Sequence, residues 1–351
     1  MKKRMLGVVV ESNNNLSVIE TDLPTVGEDS VLVQVCYSGL CGSDIPRIFH
    51  NGAHYYPITL GHEFSGQVIA VGDSVTDVKV GDKVACAPLA PCFKCDACAD
   101  GHYSLCKHYT FVGSRIPGGN AQYVSVPVRS CFVLPAGVST KQGAFFEPVT
   151  VGIHPILLAG GCEGKNVVIV GVGTIGLLAV QTAKAMGAKS VTAIDIDSNK
   201  LEKAKMLGAD FSFNSADQDF IQQFSATPDI HNDQLILETA GSPITVKLAI
   251  QMAGPKASIG LVGTLHQDLN MTFKEFEQIL RKELNLFGSW MNYSKPFPGR
   301  EWTITAELFK NNQIDVDSLT EGYFGPNDYI TAVTALDGKP SNGKILLKWE
   351  Q

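Results

Sequence analysis

The chain has 351 residues, 44% hydrophobic and 18% charged, a balance that supports folded cores and excludes a disordered, collagenous or disulfide-scaffold protein. At roughly 150 residues per domain, this length suggests two domains, each able to bury its own hydrophobic centre. Lysine and arginine number 28 against 35 aspartate and glutamate, a net charge of -7 with no cationic excess for a phosphate backbone, so nucleic acid is not an expected partner.

The opening MKKRMLGVVVES has a basic tip, but its apolar stretch ends at Glu11 with no small-residue cleavage site. It does not read as a signal peptide, and a cytoplasmic location is expected. Residues 1 to about 150 carry short β-type runs, GVVVE, SVLVQVCYSG, HEFSGQVIAVG, GDKVACAP and AQYVSVP, separated by Gly, Pro or Asp. This part is expected to be mostly β.

Within it Cys41 stands in SGLCGSD, His62 and Glu63 in LGHEFSG, and Glu147 in FFEPVTVG. Singly, each has an ordinary reading as a small buried thiol, a core imidazole or a helix-start acid. Together, one thiolate, one imidazole and one carboxylate leave zinc an open position at which an alcohol oxygen can bind and lose its proton more readily.

Nine cysteines is an odd number, and Cys92, Cys95, Cys98 and Cys106 crowd into the pattern C-x2-C-x2-C-x7-C. One loop at this spacing can wrap four thiolates around a tetrahedral ion, a closed shell that would make such a zinc structural. An iron–sulfur cluster or free thiols remain open as alternatives.

From Asn166 the texture changes to apolar strands alternating with amphipathic helices: NVVIVG, TIGLLAVQTAKAMG, SVTAIDI, SNKLEKAKMLG, then QLILETAG and ASIGLVG as later strands. Near-continuous apolar strands separated by helices imply a parallel sheet. The uncharged run between Lys165 and Lys184 contains Gly171, Gly173 and Gly176 and splits into strand, turn and helix, so it does not read as membrane-spanning.

Those three glycines, with Thr174 and Ile175 among them, form G-x-G-x-x-G directly after a strand and at the head of a helix. That context suits a dinucleotide pyrophosphate, which needs a tight turn, close backbone approach and helix N–H groups. Asp195 ends the next strand, where a carboxylate accepts from a ribose diol and repels a 2'-phosphate, favouring NAD over NADP. After about Leu284 the pattern is mixed, with a helix near Trp302–Lys310 and a closing strand KILLKW.

GLCGSD, GHEFSG, the four-cysteine lobe, the Glu-Pro segment and GVGTIG, in that order, resemble the zinc-dependent medium-chain dehydrogenase/reductase family over nearly the whole chain. Glu147, standing where alcohol-oxidising relatives have Cys, points to the polyol dehydrogenase branch. The long runs SGLCGSDIPRIFHNGAHYYPITLGHEFSG and RKELNLFGSWMNYS resemble a member of that branch that acts on a polyol phosphate.

The resemblance implies an α/β protein: a GroES-like, mostly β catalytic domain over 1–152 with a zinc lobe at 86–110, a Rossmann domain over 153–288, and a segment 289–351 returning to the catalytic domain. It implies Cys41, His62 and Glu147 as ligands of a catalytic zinc, Glu63 as an occasional ligand beside them, and Asp44 orienting His62. Ser43 would touch the substrate hydroxyl and pass on its proton. Asp195 and Lys200 match the ribose contacts, and Val262, Gly263 and Thr264 the backbone facing the nicotinamide amide. One departure stands out: Pro46 replaces a His that relays the proton in many relatives.

The expected activity is therefore NAD-linked oxidation of a secondary hydroxyl of a polyol phosphate, with two zinc ions per chain and a homodimeric or homotetrameric assembly by analogy. Arg47 and Arg115 are the expected phosphate contacts, with Lys295 and Arg300 as weaker candidates. An unphosphorylated polyol such as sorbitol or xylitol, or threonine, is the alternative substrate. A catalytically silent NAD-binding relative is the alternative from another class, and the intact Cys41, His62 and Glu147 stand against it.

Overall fold

The structure, a computed structural model, describes residues 4–339 and 341–349; the basic tip, residues 1–3, lies outside them. The chain divides into two compact units, the first comprising Met1–Glu147, Tyr293–Lys310 and Val316–Gln351, the second Pro148–Asn292 and Asn311–Asp315. The first division falls inside the helix Phe146–Leu158.

The first unit is built around the strand Ser30–Gly39, whose Val31, Leu32, Val33, Val35 and Cys36 are all buried. Such a strand needs partners on both edges. Glu63–Val71 pairs with it antiparallel along one edge, Tyr123–Pro127 and Lys344–Lys348 along the other. Lys83–Cys86, Cys131–Val133 and Thr320–Phe324 complete the seven-stranded sheet. Val8, Val33, Val35, Leu60, Phe64, Val68 and Leu347 form one core, and each such aliphatic side chain taken out of water contributes about 1.5–3 kcal/mol.

A second, aromatic core holds the late segments of the chain in this unit. Phe146 stacks on Phe309 at 5.4 Å, and Tyr293 stacks on Phe297 at 5.5 Å. Phe297 in turn meets Phe93 and Tyr103 of the cysteine-rich lobe edge-on at 5.4 and 5.3 Å. Such pairs contribute about 0.5–1.5 kcal/mol beyond their buried area.

The second unit is a six-stranded parallel sheet in the order Phe211–Asn214, Ser190–Asp195, Asn166–Val170, Gln234–Glu238, Ser258–Leu261, Asn285–Gly288. Numbered by appearance within the unit this is 3-2-1-4-5-6, the doubly wound order with its switch point beside the first strand. Asn166–Val170 and Gln234–Glu238 are buried at every residue, which is why they read as continuous apolar runs. The expected α/β class, one mostly β unit and one parallel-sheet unit, is what the chain adopts. No helix among the described residues is long and apolar enough to cross a membrane.

Candidate active site

Cross-strand register brings the first constellation together. Gly39 lies directly opposite Glu63 on one side and Leu346 on the other. A side chain at Gly39 would put its Cβ 2.5 Å from Glu63 Oε2, so the glycine is what leaves room for that carboxylate. Two residues beyond Gly39, Cys41 starts a tight turn: its N–H donates to Asp44 Oδ2 at 3.3 Å while Asp44 N–H donates to the Cys41 carbonyl at 3.0 Å. Ser43 is then the exposed N-cap of the helix Asp44–Phe49. Just ahead of the other strand Gly61 adopts φ +95°, a conformation that favours glycine, and His62, next in the chain, is buried.

The ligand atoms of Cys41, His62 and Glu63 lie within 4.8 Å of one another. Glu147 is not in that set, although its charge is felt by Cys41, Lys344 and Tyr293. Burial, then the Glu63 charge, pushes the Cys41 thiol up to about 12, with Asp44 and Glu147 adding to the effect and Lys344 opposing it. A thiol ringed by three carboxylates is a site short of positive charge. A divalent cation with a taste for sulfur and nitrogen fits that donor set.

Asp44 is the hub beside it. Its Oδ1 lies 3.6 Å from His62 Nδ1 and accepts from Arg47 Nη1 at 2.9 Å. His62 Nδ1 is buried without a hydrogen bond, so the Asp44 carboxylate is its electrostatic partner and leaves the ring's other nitrogen for a metal. Arg47 Nη1 also donates to Ser43 Oγ at 3.0 Å. Arg47, expected on the phosphate, thus spends one nitrogen on the groups around the metal site.

The four lobe cysteines converge as well, with all four sulfurs within 4.8 Å of one another and none in a disulfide. Cys95 Sγ lies 3.6 Å from Cys98 Sγ and 3.9 Å from Cys106 Sγ, and Cys92 Sγ lies 4.0 Å from Cys98 Sγ. Tetrahedral sulfurs about 2.3 Å from one ion stand about 3.8 Å apart, so the lobe has the size of a zinc site. Backbone N–H groups of Lys94 and His108 point at Cys92 and Cys106 sulfurs, as thiolates require. Backbone hydrogen bonds from Lys94 and Cys95 lower the Cys92 thiol to about 6, while burial raises Cys98 to about 12. The weaker phosphate candidates lie elsewhere in this unit: Lys295 Nζ donates to Ala99 O of the lobe at 3.1 Å, and Arg300 begins the helix Arg300–Lys310.

In the second unit Gly171 holds φ +90°, and a Cβ at Gly176 would lie 2.0 Å from the Gly171 carbonyl, so both glycines are dictated by the turn. Gly173 is the exposed N-cap of the helix Thr174–Ala185, and a Cβ there would meet nothing within 4 Å. This is an open helix N-terminus, the cradle a pyrophosphate fits.

Asp195 ends its strand, with Oδ2 accepting Val172 N–H at 2.8 Å and Oδ1 accepting Asp197 N–H at 3.0 Å. Lys200 sits in the next helix, Ser198–Met206. Val262, Gly263 and Thr264 follow the strand Ser258–Leu261, and a Cβ at Gly263 would lie 2.1 Å from Gly241 N. Beneath them is a residue the sequence did not single out, the fully buried Glu238. Its Oε1 accepts from Ala240 N–H, Gly241 N–H and Thr245 Oγ1–H.

Comparison with known proteins matches residues 27–136 to the alcohol dehydrogenase GroES-like domain and residues 174–307 to the zinc-binding dehydrogenase model. Galactitol 1-phosphate 5-dehydrogenase of Escherichia coli K12 is 51% identical over 344 residues, 98% of this chain and 99% of that protein. The crystal structure of galactitol-1-phosphate dehydrogenase from Escherichia coli superposes with a TM-score of 0.96 over 98% of this chain and 100% of that one. Two structures at 28% identity carry nicotinamide nucleotides. A zinc-binding dehydrogenase of Sinorhizobium meliloti 1021 holds NADP, with a TM-score of 0.89 over 99% of this chain and 100% of that one. An alcohol dehydrogenase of Escherichia coli CFT073 holds NADH, with a TM-score of 0.88 over 99% of each chain.

Proposed function

Since the chain belongs to the zinc-dependent medium-chain dehydrogenase/reductase family, in its polyol dehydrogenase branch, we propose that it oxidises a secondary hydroxyl of galactitol 1-phosphate to the ketose phosphate, tagatose 6-phosphate, with NAD as hydride acceptor. The observation that carries this reading is the convergence of Cys41, His62 and a carboxylate in a site short of positive charge, within a chain half identical to an enzyme of that name.

Zinc bound through Cys41, His62 and a carboxylate of Glu63 or Glu147 supplies Lewis acidity toward the hydroxyl oxygen, and NAD on the Gly171–Gly176 turn supplies the hydride acceptor. The remaining chemistry belongs to the chain. Ser43 takes the substrate hydroxyl proton on Oγ and releases its own, and the Arg47 N–H at 3.0 Å steadies the oxygen as charge passes through it. Asp44 fixes the His62 ring and Arg47 together. Pro46 offers no proton-carrying side chain, so the proton leaves Ser43 through water or the cofactor ribose. Asp195, with both carboxylate oxygens already oriented by backbone N–H groups, accepts the adenosine ribose hydroxyls.

The test is turnover. Purified protein should hold two zinc ions per chain and reduce NAD with galactitol 1-phosphate at a far higher kcat/KM than with galactitol, sorbitol or threonine. Cys41→Ala should abolish turnover while NADH still binds, read by its fluorescence. Equal efficiency on galactitol and its phosphate would overturn the phosphate assignment, and full turnover by Cys41→Ala would overturn the metal site.

A further inference from the structure

We propose that Arg115 and His54, backed by Arg47, form a cradle for the phosphomonoester dianion of the substrate, an inference that rests on the polyol-phosphate reading above. His54 has no motif around it. Its loop is fastened to the helix that carries Arg47, and the loop that carries Arg115 is fastened to the stretch just after His54.

The first loop runs from the helix Asp44–Phe49 through His54 and folds back on the helix, with Gly52 N–H donating to Pro46 O at 2.9 Å and Tyr56 Oη–H to Arg47 O at 2.8 Å. The second carries Arg115. Gly118, Gly119 and Asn120 N–H groups donate to Thr59, Gly61 and Leu60 carbonyls at 2.9, 2.8 and 2.9 Å, binding this loop to the stretch that ends in His62. Gly113, at φ +82°, is the reason the fit is so close: a Cβ there would lie 2.4 Å from Gly61 O. Arg115 is therefore tied to the chain that carries a proposed metal ligand.

The side chains are poised rather than consumed. The Arg115 guanidinium lies 4.5 Å over the Tyr109 ring, and its Nη2 donates to Tyr109 Oη at 3.2 Å. Stacking orients the planar fork in advance, and no carboxylate among the described residues pairs with it. Arg47 uses Nη1 on Asp44 and Ser43 and keeps its other nitrogens for a second acceptor. His54 feels both arginines: burial first, then the charges of Arg115 and Arg47, hold its imidazole below the ordinary histidine range. Two guanidinium groups with one carboxylate, Asp44, to offset them leave positive charge that an anion completes. A dianion accepting from Arg forks gains paired, charge-assisted hydrogen bonds. Lys295, committed to the cysteine lobe, has no part in it.

The experiment compares kcat/KM for galactitol 1-phosphate and galactitol at saturating NAD in wild type, Arg115→Gln, His54→Gln and a control, Arg281→Gln, an exposed arginine paired with Glu277. A second readout is competitive inhibition by inorganic phosphate. The expected result is that each cradle variant lowers the ratio of the two efficiencies about 10- to 100-fold, chiefly through KM for the phosphorylated substrate, and weakens phosphate inhibition in step. The control should leave the ratio alone. A ratio unchanged in both cradle variants, or lowered as much by Arg281→Gln, overturns the cradle while a wild-type preference for the phosphorylated substrate keeps the function above. A wild type without that preference overturns both.

Discussion

Lys344 Nζ donates to both carboxylate oxygens of Glu63, at 2.8 and 2.6 Å, and to Leu40 O at 3.1 Å, with both charged side chains buried. The pair sits against Cys41, so one ammonium offsets one carboxylate at the edge of the candidate metal site. Removing one member of a buried pair strands the other charge, at a cost of about 3–5 kcal/mol. Lys344→Met should therefore destabilise the protein by about that amount in denaturant unfolding, and Glu63→Gln added to it should recover much of the loss. A single-variant cost under about 1 kcal/mol would show that the pair is not an isolated buried ion pair.

Four sulfurs around one ion would close its ligand set and leave no place for substrate, so a structural role is expected of the cysteine lobe. Cys98→Ser is expected to lose one zinc equivalent by elemental analysis and to melt at lower temperature. Two zinc ions retained at unchanged melting temperature would contradict this assignment.

Cofactor choice is expected to follow Asp195, whose carboxylate would accept the ribose hydroxyls and repel a 2'-phosphate. Asp195→Ala should narrow the preference for NAD over NADP by about tenfold or more in kcat/KM. Equal use of NADP by the wild type would remove Asp195 from that role.

Glu238 is wholly buried, and desolvation raises its carboxyl above the usual range although Thr245 and backbone N–H groups work against the rise. A raised folded-state pKa means that the folded protein holds the proton more tightly than the unfolded chain. The contribution is fully present below the unfolded value of about 4.3 and is lost as pH climbs through the raised folded value. Glu238→Gln should therefore gain stability relative to wild type on going from pH 4 to pH 7. Glu238→Ala, which strands Ala240 and Gly241 N–H groups, should lose about 2–3 kcal/mol at pH 4 and less at pH 7, where the wild type has lost the contribution of the protonated carboxyl. Paired urea titrations at the two pH values check both signs.

What the sequence shows most plainly is chemistry confined to short stretches. Cys92 to Cys106 lie in one loop, and Gly171 to Gly176 in one strand-turn-helix, so spacing alone identifies them. Cys41 and His62 are legible as motifs, but the register that joins them, Gly39 opposite Glu63, is a long-range event. Lys344 pairs with Glu63 across 281 positions with no local sign of it. Arg47 illustrates the opposite difficulty. Its charge was readable, whereas its hydrogen bond to Asp44 three residues earlier, on the same helix, depends on the turn at Cys41. The strands Phe211–Asn214 and Asn285–Gly288 are short and have no fully buried residue, so the apolar run that marks their neighbours is missing. The helix Phe273–Arg281 did leave a signal, Thr272 with Glu275 as a capping box, ahead of a helix with no buried residue.

The strand Lys344–Lys348 is joined to Ser30–Gly39, so the sheet of the first unit takes in a piece made more than three hundred residues after its centre. On a ribosome adding about 5–20 residues per second, this fixes a timetable. The second unit has all but Asn311–Asp315 of its length by Asn292 and can fold early, while the first waits with its central strand edge open. Glu63 stays without its ammonium until Lys344 emerges. The cluster of Cys41, His62 and Glu63 is thus completed last, and a chain that stops short of Lys344 would leave Glu63 without its buried counter-charge.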